Sequence, residues 1–225
     1  MGFSPAITSA LTSIATVSCA VCIKLYYNTI RTPKLLSAEQ LIAQRRSVYP
    51  RQYDSLRPVP KKIIERMLES ANWAPTHART EPWRFTVFSS QRSRRELGEL
   101  EGDLYEKMTP TERFSRTKYQ KKIDDKLRAS HIIAICMKRQ ETEKIPEMDE
   151  VCSVACAVQN MHLTATSYNV GAYWSSGSIA SSDEMKRFLG LGEKDRCLGF
   201  FYVGYPKGEL PKGRRRPTHD KVQWR

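Results

Sequence analysis

The chain reads as an α+β layered domain, and three observations predict it. Short apolar stretches with strand character alternate with longer stretches of helical spacing, in no regular order. Hydrophobic residues make up 40% and charged residues 27% of 225 residues, enough to bury a core, which excludes global disorder. No internal repeat appears, so the length suits one domain over residues 33–225 behind a short leading segment, residues 1–32.

Residues 3–23 carry no charge, a run of 21 residues, against the ~20 needed to cross a bilayer core. Lys24, Tyr26, Tyr27 and Arg31 follow as a basic, aromatic border. A signal anchor fits best. The basic residues on its C-terminal side then place the main domain in the cytosol. A mitochondrial or plastid transit peptide is the alternative, because Ser and Thr abound before the first acid, Glu39.

Pro33 breaks any preceding helix, and Ser37 is an N-cap for a helix running through Arg46. Pro60 opens a second helix to Trp73, with Ile63, Ile64, Met67, Leu68 and Ala71 at helical spacing. Trp83–Phe88 is a strand after Pro82. Gln91 to Arg128 is highly charged and divided by Pro110, which predicts two exposed helices. His131–Met137 is an apolar strand. Glu147 to Tyr168 is a small-residue, apolar helix of the kind that sits centrally. Ala172–Trp174 is a strand, Ser182–Leu189 a short helix and Cys197–Tyr205 an alternating strand. A basic, irregular tail follows Pro206.

The formal net charge is +13, from 37 Lys and Arg against 24 Asp and Glu. That surplus favours anionic partners. No zinc-finger spacing, RNA-recognition motif or basic zipper accompanies it, so no nucleic-acid partner is expected. The six cysteines show no metal-ligand spacing with histidine, and no metal is expected; they read as reduced, buried, apolar residues.

Four segments stand apart from the core pattern. Arg45-Arg46-Ser47 ends a helix with two guanidiniums and a hydroxyl, groups suited to a phosphate. The loop from Ala74 to Trp83 is polar and pinned by Pro75 and Pro82. Gly171 to Gly177 is a strand entering a Ser-Gly turn. Val203-Gly204-Tyr205-Pro206 ends a strand ahead of Arg214-Arg215-Arg216.

In this order and spacing, the four segments and the long helix between them resemble the FMN-dependent nitroreductase family, in particular its short bacterial branch. The likeness runs from about Leu41 to Arg216. It implies a nitroreductase-like fold, a mixed central sheet flanked by helices, in an intertwined homodimer with FMN at the interface. It implies cofactor-binding roles for Arg45, Arg46, Ser47, Trp174, Ser175, Ser176 and Arg216, with Arg214 or Arg215 as alternatives for the last. Trp73 and His77 match positions that reach FMN from the second subunit, and Ser176 the contact to flavin N5. The flavin carries the chemistry, so no catalytic side-chain nucleophile is expected, and His131, His162 and His219 read as structural or surface residues. A Gly-rich dinucleotide fingerprint is absent, and NAD(P)H is expected as a transient electron donor. The implied activity is reduction of a small aromatic electrophile, a nitroaromatic or quinone, in ping-pong fashion. Glu81 departs from the glutamine that many relatives carry before Pro-Trp.

A sharper alternative within the resemblance is an iodotyrosine deiodinase-like enzyme. It rests on the loop Ala78-Arg79-Thr80-Glu81-Pro82-Trp83, the leading segment, and Glu101, Tyr105 and Lys126 as a trio able to grip an amino-acid zwitterion. A non-catalytic FMN-binding protein is a second alternative.

Overall fold

The structure is a computed structural model describing residues 36–210 and 212–225. The predicted anchor or targeting segment lies outside the described residues. Among the described residues, no helix is long and apolar enough to cross a membrane.

Helix α1 (Ala38–Gln44) starts at Ser37, whose hydroxyl accepts from Gln40 N while Gln40 returns the bond, a capping box. It ends before Arg45, two residues earlier than its sequence pattern predicts. The cause is long-range: Val48 N donates to Ala172 O at 2.9 Å, and Ser47 bridges Ala172 in parallel, so the chain must extend here. Helix α2 (Lys61–Asn72) buries Ile63, Ile64, Met67 and Ala71. Strand β1 (Trp83–Phe88) follows, then helices α3 (Gln91–Met108) and α4 (Arg116–Arg128). Strand β2 (His131–Met137), helix α5 (Glu147–Ser167), strand β3 (Gly171–Ser175), helix α6 (Asp183–Phe188) and strand β4 (Arg196–Gly204) complete the order.

The strands form one sheet in the order β1-β2-β4-β3, antiparallel throughout, and the parallel bridge at Ser47 gives it its mixed character. Strand β2 is buried on both faces, and its residues alternate between two clusters. Ile133, Ile135 and Met137 face α2 and α5, meeting Met67, Val158 and Met161. Ile132, Ala134 and Cys136 face the other layer, meeting Leu97, Phe200 and Tyr202. A strand with helices on both faces needs a continuous apolar run, which His131–Met137 supplies. Each such side chain contributes about 1.5–3 kcal/mol by leaving water.

Two expectations need correction. Helices α3 and α4 are not merely exposed charged helices. They pack against each other, and Leu97, Glu101, Leu104, Ile123 and Lys126 are buried. Close approach is set by Gly98, where a Cβ would stand 2.8 Å from Ile123 Cα, a contact backbone cannot relieve. The cysteines also divide. Cys136 and Cys197 are buried, but Cys152 and Cys156 lie exposed on one face of α5, four residues apart.

Candidate functional site

The end of α1 and the C-terminal tail meet beside the sheet edge β3. Arg46 is tied down by its own Nη1, which donates to Ala43 O and Arg45 O, each at 2.7 Å. Its carbonyl accepts from His162 Nε2 at 3.0 Å. That bond fixes the proton of a neutral His162 on Nε2. Burial and the Arg45 guanidinium lower the His162 pKa to about 4, so the ring is neutral at pH 7. His162 is thus structural in a specific way: it holds the Arg-Arg turn from α5. Its position on the inner face of α5 gave no sign of this.

The tail returns onto the same turn. A Cβ on Gly213 would stand 2.2 Å from Arg46 Nη2, so this close approach admits glycine. Burial, then Arg215, then Arg46 hold the Arg45 guanidinium below its ordinary range, and no carboxylate pushes it back. Of the basic run, Arg215, one of the alternatives the resemblance left open beside Arg216, is the charge that presses on Arg45. Arg216 engages its carbonyl with Lys221 Nζ at 2.9 Å. Cations gathered in this way favour an anion beside them.

Strand β3 carries the second half of the site. Trp174 Nε1 donates to Leu198 O at 3.1 Å, which locks the indole against β4. Gly199, at φ +126°, lets Ser175 O approach to where a Cβ would sit at 2.2 Å. Ser175 and Ser176 then diverge. Ser175 borders a cavity of about 680 Å³ with Tyr49, Tyr173 and Tyr202 on the sheet side and α4 opposite. Tyr49 and Tyr173 pack with ring centroids 4.5 Å apart. Ser176 stands exposed in the turn, facing a smaller space of about 150 Å³ shared with Glu101, Lys122 and Phe200.

Trp73 and His77 are not brought to this site within the protomer. Trp73 is 80% exposed, its Nε1 donating to Glu69 Oε1 at 3.0 Å. His77 Nδ1 lies 2.8 Å from Asp149 Oδ2, at the start of α5. His162 is 13 residues further along α5, about 20 Å at 1.5 Å per residue. Their loop is strained: Ala78, Arg79 and Glu81 have φ of 48°, 58° and 43°. Left-handed non-glycine residues cluster where a function needs the shape. The two prolines signalled a pinned loop but not this strain.

Glu101, Tyr105 and Lys126 do come together. Lys126 Nζ meets Glu101 Oε2 at 2.5 Å with its side chain almost fully buried, over the rings of Tyr202 and Phe200. Lys122 Nζ lies 3.7 Å from the same oxygen. Tyr105 OH accepts from Ser115 N at 3.1 Å. The three line one cavity of about 300 Å³ that also reaches Ser175. Helical charge patterns hide this, because they give a lysine no reason to be buried.

Residues 42–205 match the nitroreductase family model. The chain belongs to the nitroreductase family. A nitroreductase relative, YfhC of Bacillus subtilis (strain 168), provisionally named an NAD(P)H nitroreductase, is 29% identical over 181 residues, covering 80% of this chain and 90% of its own. Iodotyrosine deiodinase 1 of Rattus norvegicus is a more distant relative, 24% identical over 201 residues, 81% of this chain and 67% of its own. Among solved structures, a nitroreductase-like family protein from Bacillus cereus superposes with a TM-score of 0.71 at 22% identity, over 86% of this chain and 98% of that one. A nitroreductase with bound FMN from Bacteroides fragilis NCTC 9343 gives 0.62 at 21%, over 84% and 100%. This chain thus has the nitroreductase fold, and membership of that family points to an oxidoreductase.

Proposed function

We propose that the chain is an FMN-dependent oxidoreductase that takes electrons from NAD(P)H and reduces a small electrophilic aromatic, such as a nitroaromatic or a quinone. One observation carries this reading: Arg45, Arg46 and Arg215 gather from two distant parts of the chain beside β3 with no acid to offset Arg45. The donor set suits the dianionic phosphate of FMN, which guanidiniums pair with bidentately. Ser47 adds a hydroxyl beside β3, and Ser175 and Ser176 offer hydroxyls at the far end of the same strand.

When bound, FMN supplies the hydride and electron transfer chemistry. The chain's own residues hold and shield it. The arginines would hold the phosphate, Ser176 would offer its hydroxyl to the ring system at N5, and Tyr49 with Tyr173 would wall the cavity beside Ser175 for a flat substrate. No side chain has to act as nucleophile.

The reading includes a homodimer. In such a dimer, a two-fold axis near the middle of α5 would carry a partner's His77, from the opposite end of that helix, towards Arg45 and Arg46. The exposed Met148, Cys152 and Cys156 of α5 support a buried partner face there.

Steady-state kinetics test the activity. With FMN-loaded protein, varying NAD(P)H at several fixed nitroaromatic or quinone concentrations is expected to give parallel double-reciprocal lines. Intersecting lines, or no turnover with either nicotinamide, contradict the reading.

A second reading, halotyrosine dehalogenation, is favoured by the convergence of Glu101, Tyr105 and Lys126 on the cavity that reaches Ser175. A halotyrosine that saturably perturbs the bound flavin spectrum supports it; an unchanged spectrum at millimolar halotyrosine removes it.

A further inference from the structure

A second cluster of cations lies two strands across the sheet from β3, where β2 begins and β4 ends. A cavity of about 310 Å³ opens there between residues 54–58, the start of α3 and the α4–β2 turn. That size is at the lower end of the ~300–1,000 Å³ range of small-ligand pockets. Its charged lining is Arg57 and Arg94 against one carboxylate, Asp54, whose Oδ1 accepts from Leu56 N at 3.1 Å.

Arg94 is held and only half used. Its Nη1 donates to Ser89 O and to Ser130 O, two backbone carbonyls that fix the plane of the guanidinium. Its Nε is buried and meets no acceptor. A buried donor left unmade costs about 1–3 kcal/mol, and the Nε–Nη2 edge is the fork with which arginine grips oxyanions. Arg57 is pinned above the Tyr205 ring, 3.7 Å from its centroid.

His131 supplies a further donor. Ser130 Oγ accepts from Val59 N at 2.7 Å and lies 3.0 Å from His131 Nδ1, to which its hydroxyl can donate. With the hydroxyl as donor, the ring proton sits on Nε2, for which no acceptor appears among the described residues. Burial and the Arg94 guanidinium lower the His131 pKa to about 4, so the ring is neutral at pH 7.

We infer that this cavity is an anion site, taking inorganic phosphate or a small phosphomonoester on the free edge of Arg94, the Arg57 guanidinium and His131 Nε2–H. It is separate from the Arg45, Arg46 and Arg215 cluster, and it does not rest on the flavin reading. An anion lodged between Arg94 and the imidazole opposes the push of Arg94 and favours the charged ring, so occupancy raises the His131 pKa.

NMR of the histidine side chains of the full chain, in phosphate-free buffer, tests this. Titration with sodium phosphate is expected to shift the His131 resonances saturably and to move its pKa up from about 4. Sodium chloride at matched ionic strength is expected to do neither. Phenyl phosphate, the phosphomonoester probe, separates the sources: tighter binding than phosphate identifies an organic phosphate, and weaker binding free phosphate. Arg57→Gln is expected to weaken phosphate about tenfold or more while FMN content stays unchanged. A His131 signal that responds to phosphate no differently from chloride overturns the inference. So does full phosphate affinity in Arg57→Gln together with Arg94→Lys.

Discussion

Arg45 is surrounded by Arg46, Arg215 and protein, and all three disfavour its charge. A group arranged in this way gains most when a phosphate arrives. Arg45→Ala is therefore expected to weaken FMN by about 10–100-fold, from the roughly 1.5–3 kcal/mol of a hydrogen bond to a charged group. Fluorescence titration of the apoprotein with FMN measures it, and unchanged affinity removes Arg45 from the phosphate site. His162 gives a pH prediction. Its pKa is 6.5 in the unfolded chain and about 4 when folded. Between those values the unfolded chain binds the extra proton, so stability is full above pH 6.5 and falls as pH drops towards 4. The loss reaches roughly 3 kcal/mol. His131 acts in the same direction over the same window. Urea midpoints at pH 7 and 4.5 should therefore differ less in His162→Gln than in the parent chain. Equal differences contradict the assigned role. The segments proposed for this site were legible only through their joint order, because arginines at a helix end are ordinary on their own. Which member of the run approaches Arg45 was not, since three consecutive arginines look alike in sequence and only the folded tail brings the charge of Arg215 to bear on it.

The α3–α4 pair shows what periodicity conceals. Strands β1 and β2 follow directly from apolar runs bounded by turn residues, and α5 from its small and apolar residues. Helices α3 and α4 look like solvated charge, yet Glu101 and Lys126 face inward and pair beneath Tyr202. Burial of an ion pair depends on which layer covers the helix, and that information is not local. Lys126→Ala leaves the Glu101 carboxylate enclosed, with Lys122 at 3.7 Å as its remaining cation. It should destabilise the fold by about 3 kcal/mol, while Lys126→Met combined with Glu101→Leu should recover most of that. Urea denaturation of the single and double variants decides it; additive losses contradict a buried pair. The early end of α1 has a similar origin, because the Ser47 and Val48 pairing with Ala172 outranks the helix propensity of Arg45 and Arg46.

At the scale of the whole molecule, the α+β layering and the nitroreductase membership follow from the order of the motifs. The separation of His77 from the arginine cluster, about 20 Å along α5, follows only from the folded chain. That distance is the physical argument for a site shared between two subunits. Co-expression of Arg45→Ala and His77→Ala chains tests it: the mixed dimer pairs both changes in one site and leaves the other intact. Flavin retention should then rise to roughly half the parent value, where neither variant alone retains FMN well. No recovery contradicts sharing. The most direct test of the central claim is the visible spectrum of the purified full-length protein, recorded without oxygen before and after adding NADPH or NADH. A yellow protein whose flavin absorption bleaches on reduction is the predicted result. A protein that stays colourless after incubation with excess FMN would contradict the account.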